Sequence, residues 1–316
     1  MVRHLVTGGA GFIGSNIAEA LLRRGDTVRV LDNFSTGNVH NLQMIQGSAE
    51  AGDRLEIIEG DLRSYHIVQE ALQGVDYVFH QGALPSVPRS VRDPLTTHEV
   101  NVIGTLNLLQ AARQADVRRL VFASSSSIYG NNPALPKVET MPQAPLSPYA
   151  ISKLTGEFYC QNFWQLYGIE TVCLRYFNVF GPRQDPKSQY SAVLPRFITA
   201  ALQNQPLTIH GDGHQSRDFT YIENVVNGNL LACEAPNAPG EIINISCGHR
   251  YSLLDVVDTL KETVGHPITV EHQSVRSGDV KHSQASIDKA GELLGYEPLV
   301  DFQEGLRRTV KFYQNS

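Results

Sequence analysis

The chain has 316 residues, with 26 Lys and Arg against 32 Asp and Glu, a formal net charge of −6 at neutral pH. That length supports a substantial core in one large domain or two intimate ones. The negative balance disfavours nonspecific nucleic-acid binding, no apolar run is long enough to span a membrane, and no signal-peptide pattern precedes the first strand.

The first strand is expected over His4–Thr7 and runs straight into Gly8-Gly9-Ala10-Gly11-Phe12-Ile13-Gly14. A helix follows over Phe12–Arg24. The glycine spacing is Gly-x-x-Gly-x-x-Gly rather than the commoner Gly-x-Gly-x-x-Gly. Gly8 permits the tight turn, Gly11 lets the backbone approach a pyrophosphate, and Gly14 lets the helix pack close to the strand. The helix N-terminus adds free N–H donors and a positive dipole end.

The second strand, Thr27–Leu31, ends at Asp32, about twenty residues beyond the turn. A carboxylate there accepts hydrogen bonds from both hydroxyls of an adenosine ribose and repels a 2′-phosphate. NAD is therefore the expected cofactor. Strand Leu55–Glu59 is followed by Asp61-Leu62, placed to flank the adenine. Strand Tyr77–His80, helix Leu95–Ala115 and strand Arg119–Ala123 come next, and Ser124-Ser125-Ser126-Ser127 lies just beyond that last strand end. A serine hydroxyl there would face the cofactor crevice and hydrogen-bond a reacting oxygen; the run is also what a loop capping its own backbone would show.

Ser147-Pro148 is a good helix start, with Ser as N-cap and Pro at the first helical position. The helix is expected over Pro148–Tyr167, which puts Tyr149 and Lys153 on one face. An ammonium beside a phenol stabilises the phenolate, and such a phenol can take a proton from an alcohol as hydride leaves its carbon. Strand Thr171–Arg175 completes the alternation. Crossover units of this kind give a parallel sheet covered on both faces, a Rossmann-type doubly wound α/β fold with ligands beyond the carboxyl ends of the strands.

After Arg175 the chain is broken by Gly181, Pro182, Pro186, Pro195 and Pro206. Helices Ala192–Gln203 and Glu223–Glu234, strand Glu241–Ile245 and helices Leu253–Val264 and Gln303–Tyr313 suggest a smaller C-terminal α/β substrate domain capping the sheet. Cys160, Cys173, Cys233 and Cys247 form no Cys-x-x-Cys and read as reduced core thiols of a cytoplasmic protein. No metal site is expected.

Thr7–Gly14, Asp32, Ser124–Gly130, the Tyr149–Lys153 pair and Arg175-Tyr176-Phe177-Asn178 together resemble the extended short-chain dehydrogenase/reductase superfamily over nearly the whole chain. The resemblance implies an NAD-binding domain and a nucleotide-sugar-binding domain. We expect the first over residues 1–174 plus roughly 219–248, and the second over roughly 175–218 and 249–316. It implies a catalytic set of Ser125, Tyr149 and Lys153, Ser125 standing four residues before Tyr129 of Tyr-Gly. It implies cofactor contacts from Gly8, Gly11, Phe12, Ile13, Gly14, Asp32, Asn33, Ser35, Thr36, Gly37, Asp61, Leu62, Gln81, Ala83, Tyr149, Lys153 and Tyr176. Substrate contacts are implied for Ser125, Tyr149, Asn178, Val193, Thr208, Arg217, Arg276, Asp279 and Ser283.

Within the superfamily, nucleotide-sugar 4,6-dehydratases place Asp-Glu where this chain has Ser126-Ser127, which disfavours dehydration. The stretch Arg175–Pro186, with Pro133–Lys137 and Pro145–Tyr149, is similar to UDP-hexose 4-epimerases, closest to those acting on UDP-N-acetylglucosamine and UDP-N-acetylgalactosamine. UDP-glucuronate decarboxylation or reduction on the same scaffold is the alternative. Arg217, Arg276 and Asn178 match residues that hold the UDP diphosphate, and Asp279 one that holds ribose hydroxyls. Ser283 matches a wall beside the sugar C2 substituent, where a small residue leaves room for N-acetyl. Pro85 departs from the pattern, since many 4-epimerases carry Lys there. A UDP-sugar substrate and a homodimer are the partners the resemblance implies.

Overall fold

The computed structural model describes residues 2–48, 51–186, 193–274 and 281–315. Its centre is a sheet of seven strands, β1 (Arg3–Thr7), β2 (Thr27–Asp32), β3 (Leu55–Glu59), β4 (Tyr77–His80), β5 (Arg119–Ser125), β6 (Glu170–Tyr176) and β7 (Ile242–Ile245), all paired in parallel. Their order is β7-β6-β5-β4-β1-β2-β3. The winding reverses between β1 and β4, so a crevice opens beyond the carboxyl ends of those two strands. Thr7 stands beside Leu31 on one side and His80 on the other, which brings the turns after three strands to one edge. At that edge Ser125 pairs with Tyr176.

The inner strands are buried on both faces and read as near-continuous apolar runs, such as Leu5-Val6 and Val172-Cys173-Leu174, while β3 at the sheet edge is only partly covered. Two apolar clusters cover the faces. One packs Leu5, Leu31, Val78, Leu108, Leu120 and Phe163; the other begins at Val6, Val28 and Val121. The second runs on without a break into the C-terminal region through Phe180, Phe197, Leu207 and Val256. Phe302 joins Phe180, Phe219 and Tyr251 there, with its ring 4.4 Å from that of Tyr251. Three two-stranded pairings complete this region: Val179–Phe180 with Thr220–Tyr221, Ser216–Arg217 with Tyr251–Ser252, and Leu207–His210 with Val270–Gln273.

The expected helix over Pro148–Tyr167 forms with those bounds, its Ser147 hydroxyl accepting from the Ala150 N–H. The single helix expected over Leu95–Ala115 does not. Pro94–His98 and Gly104–Gln114 are α-helical, but Glu99–Ile103 between them is a π-helical turn. Asn101 lies in that turn and points inward, its amide oxygen accepting from the Leu84 N–H at 2.8 Å. A contact to a residue so distant in sequence leaves no trace in hydrophobic periodicity. Short helices at Val39–Gln46, Tyr65–Ala71, Val87–Arg92 and Asp288–Leu294 also carry too few apolar repeats to be read from the chain.

A fully buried ion pair ties the Pro148–Tyr167 helix to the sheet. Arg175 on β6 donates to Glu157 through Nε and Nη2, both at 2.8 Å, and Ser124 Oγ donates to the same carboxylate at 2.5 Å. The guanidinium lies 4.7 Å from the centre of the Tyr129 ring. Arg175→Met strands a buried carboxylate, so it should lower the unfolding free energy by about 3–5 kcal/mol. The double variant with Glu157→Met should recover most of that loss in urea denaturation.

Candidate active site

The glycine turn is dictated by sterics. Gly8 has φ +66°, and a Cβ there would sit 2.7 Å from Gly82 Cα. A Cβ on Gly14 would sit 2.2 Å from the Gly8 carbonyl oxygen. The turn therefore nests between β2 and the chain leaving β4, with the Gly8 N–H donating to Leu31 O at 2.8 Å. Phe12 and Ile13 open the following helix, where N–H groups have no acceptor within the helix.

Asp32 closes β2 beside this turn. Its carboxylate accepts from the Ala10 N–H at 2.9 Å and the Phe34 N–H at 2.8 Å. Burial pushes its pKa up, against the pull of those two N–H groups. Each carboxylate oxygen keeps lone-pair capacity for a further donor. Asn41, which the sequence did not single out, holds the turn from below through its donation to Ala10 O at 3.0 Å. Asp61 accepts from both Arg63 and Asn33, and Arg63 holds its pKa down at about 2.

One cleft of about 1930 Å³ runs along the carboxyl edge of the sheet. Gly8, Gly11, Phe12, Ile13, Gly14 and Asp32 border one end, with Asn33, Ser35, Thr36, Gly37, Asp61 and Leu62 around them. Gln81, Ala83, Ser125, Tyr149, Lys153 and Tyr176 border its middle, and Asn178, Arg217 and Ser283 lie along the wall contributed by the C-terminal region. Val193 and Thr208 do not border it among the described residues; Thr208 pairs with Glu271 in a small strand. Arg276 and Asp279 lie outside the described residues. The glycine edge, open helix end and buried carboxylate fit a dinucleotide with a free adenosine ribose.

The serine run divides its work. Ser124 faces inward to Glu157. Ser125 Oγ accepts from the Ser127 N–H at 3.2 Å and the Ser127 hydroxyl at 2.9 Å, so its own proton is left to donate. Burial pushes the Tyr149 phenol pKa up, and the Ser125 hydroxyl beside it pulls the other way. The expectation that Lys153 lowers the phenol pKa is not realised in this arrangement. Lys153 Nζ instead donates to Ala123 O at 2.8 Å, and burial pushes its own pKa down to about 8. Lys153 is buried and Tyr149 half-buried at the cleft, and the lost hydration favours the neutral form of each.

Tyr176 is also tied up by the protein. Its hydroxyl donates to Asn229 Oδ1 at 2.9 Å and accepts from Gln81 Nε2 at 3.1 Å. Asn178 adopts φ +34°, a conformation Asn tolerates, and its amide donates to Asp218 O at 3.1 Å. Arg217 Nη1 donates to the carbonyls of Ser216 and Lys281. The Ser283 N–H donates to Ser216 O at 3.0 Å, which fixes that residue beside Arg217. All four cysteines are buried and free. Among the described residues, no helix is long and apolar enough to cross a membrane, and no three His, Cys, Asp or Glu gather to hold a metal.

Lys153 gives a linkage prediction. Its folded pKa is about 8 against an ordinary 10.5, so between those values the unfolded chain binds more protons. Stability relative to a Lys153→Met variant should therefore rise as pH climbs from 8 to 10.5 and be flat below 8. Paired thermal melts across that range measure the trend.

Known proteins give the following matches. The model of the NAD dependent epimerase/dehydratase family matches residues 4–246. A putative UDP-glucose 4-epimerase of Methanocaldococcus jannaschii is 39% identical over 99% of this chain and 98% of its own. A UDP-N-acetylglucosamine 4-epimerase from Methanobrevibacter ruminantium, solved with UDP-N-acetylmuramic acid, superposes with a TM-score of 0.93 at 38% identity, covering 99% of this chain and 98% of that one. A Thermus thermophilus UDP-glucose 4-epimerase complexed with NAD gives 0.89 at 38% identity, covering 100% of both chains.

Proposed function

The chain belongs to the NAD dependent epimerase/dehydratase family, as a nucleotide-sugar 4-epimerase that uses NAD, and we propose that its substrates are UDP-hexoses, both N-acetylated and plain. The observation that carries this reading is the meeting of Ser125, Tyr149 and Lys153 in the middle of a single cleft. One end of that cleft is built for a dinucleotide, and its far wall presents Asn178 and Arg217.

In this reading Tyr149 takes the proton from the sugar O4 hydroxyl as hydride leaves C4, and Ser125 donates a hydrogen bond to the same oxygen. NAD, when bound, supplies the hydride acceptor and a positive charge that opposes the effect of burial on the phenol. Lys153 holds the phenol and ribose side of the pocket in register through its bond to Ala123 O. The flat 4-keto sugar turns over while its diphosphate stays on Arg217 and Asn178. Hydride then returns to the opposite face of C4, and Tyr149 gives its proton back to O4. Atoms and electrons balance within one turnover, and the product has the mass of the substrate.

Ser283 supports acceptance of N-acetyl groups, since a small side chain borders the cleft beside Arg217. A homodimer is supported by an apolar stripe on one face of the Pro148–Tyr167 helix. Ile151, Phe158 and Leu166 are 53%, 56% and 65% exposed and recur at helical spacing. The adjoining Leu95 is 77% exposed.

Incubation with UDP-N-acetylglucosamine and, separately, UDP-glucose should yield the C4 isomers of each without added cofactor. Conversion of neither, or release of carbon dioxide from UDP-glucuronate in a parallel incubation, sinks the assignment. Tyr149→Phe should bind UDP-sugar and lose turnover by about 10²–10⁴-fold. Ser283→Tyr should slow the N-acetylated substrate selectively, as read from the ratio of kcat/KM values; equal loss on both removes Ser283 from this role. Phe158→Arg should shift the sedimentation coefficient from dimer to monomer, and a wild-type protein that already sediments as a monomer ends the dimer reading.

A further inference from the structure

His80, the last residue of β4, is a buried polar group that the reaction above does not use. Its ring joins two threonines on different elements. Nδ1 lies 2.7 Å from Thr7 Oγ1 at the end of β1, and Nε2 lies 2.9 Å from Thr105 Oγ1 in the Gly104–Gln114 helix. Hydrogen-bond bookkeeping sets the direction of both contacts. The Thr105 hydroxyl spends its proton on the Asn101 carbonyl at 2.6 Å, so it must accept from Nε2–H. Thr7 Oγ1 accepts from the Gly82 N–H at 3.1 Å and has its own proton for Nδ1.

The chain of bonds continues beyond Thr105. The Asn101 side chain accepts from the Leu84 N–H and donates to Ser152 Oγ at 3.0 Å. Ser152 donates in turn to the backbone carbonyl of Tyr149 at 2.7 Å. Every step is buried or nearly so, each donor has one acceptor direction, and the π-helical turn exists to carry Asn101 inward. Such a turn inside a helix is often found at functional sites.

We propose that His80, with its proton on Nε2, is a positioning residue that locks the glycine turn after β1 and the Gly82–Leu84 segment to the first turn of the helix bearing Tyr149 and Lys153. The inference rests on the epimerase reading for its effect on turnover, and on geometry alone for the bond pattern. The same relay fixes two things the reaction needs in one frame: the edge where the dinucleotide lies and the phenol that must reach O4. A buried network with all members satisfied is rigid, and a break in it leaves unpaired groups in a dry core. A second ring proton has no acceptor in this pattern. Burial and the nearby Lys153 ammonium both oppose it and hold the ring pKa at about 3.

Thr105→Val keeps the side-chain shape and removes the acceptor. It should lower kcat for UDP-sugar epimerisation by about ten- to a hundredfold, with KM within about twofold of wild type. Thr105→Ser, which restores the hydroxyl, should recover most of the rate. Ser152→Ala breaks the last link and should show the same split, which covers the case in which Thr105→Val fails to fold. Independently of activity, the ¹⁵N imidazole spectrum should contain one ring in the Nε2–H form that does not titrate between about pH 5 and 8, and that signal should vanish in His80→Gln. Wild-type kcat in Thr105→Val and Ser152→Ala, or loss of rate in Thr105→Ser equal to that in Thr105→Val, overturns the positioning role. A His80 ring that titrates in that range overturns the bond pattern. A wild-type protein inactive on UDP-sugars strikes the epimerase reading instead and leaves the spectrum as the test of the relay.

Discussion

The height of the Pro148–Tyr167 helix above the sheet is the constraint on which the rest depends. Glu157 stands four residues beyond Lys153 and eight beyond Tyr149, so all three share a face. Fixing Glu157 against Arg175 fixes the other two. Gly156 makes the approach possible, since a Cβ there would meet the Phe122 ring at 2.4 Å. Close approach then lets Lys153 reach the Ala123 carbonyl and lets Ser124 reach Glu157. A buried ion pair of this kind contributes little net stability against an apolar replacement. What it contributes here is register: the carboxylate accepts from β5 and β6 at once, and only one placement of the helix satisfies both.

That placement takes Lys153, and in part Tyr149, out of water. Tyr149 and Lys153 both lose hydration, and both shift toward their neutral forms. In stability alone this is unfavourable. In catalysis the same partial loss of water strengthens each fixed dipole acting on a developing charge. Ser125 illustrates the preorganisation. Its oxygen already accepts two donations from Ser127, which leaves its one proton for a donation of its own. A lone serine would rotate; Ser127, the last serine of the run, restrains it.

Much of this was legible from the chain. The glycine turn, Asp32 and the Ser147-Pro148 start are local features, and local sterics or capping chemistry dictates them. Most of the parallel strands were legible because they are buried on both faces and show as short apolar runs. What was hidden depends on partners far apart in sequence. Glu157 reads as an ordinary helix residue until β6 supplies Arg175. His80 reads as a strand end until Thr7 and Thr105 converge on it. Asn101 gives no hint of a π turn, because its reason is Leu84 and Ser152. The pairing of a tyrosine with a lysine was visible, but its electrostatic sense was not: spacing reports proximity, whereas burial sets which protonation state wins.

The cleft wall contributed by the C-terminal region follows the same logic of fixed frames. Ser283 sits in a segment pinned at several points. Its own N–H donates to Ser216 O, the Ala285 N–H donates to Asp218, and the Lys137 N–H and the Ser286 N–H close bonds to Gln284 O and Lys137 O. Asp218 itself is buried, with its pKa pushed up to about 6, and its other oxygen holds the Cys247 N–H. A wall held this way cannot retreat to absorb a larger side chain, because interiors packed to this density transmit strain instead of dissipating it. Under the proposed reading, the size of residue 283 therefore converts directly into space beside the sugar. Under that reading a single small residue sets substrate range because its pinned neighbours leave the backbone little room to compensate.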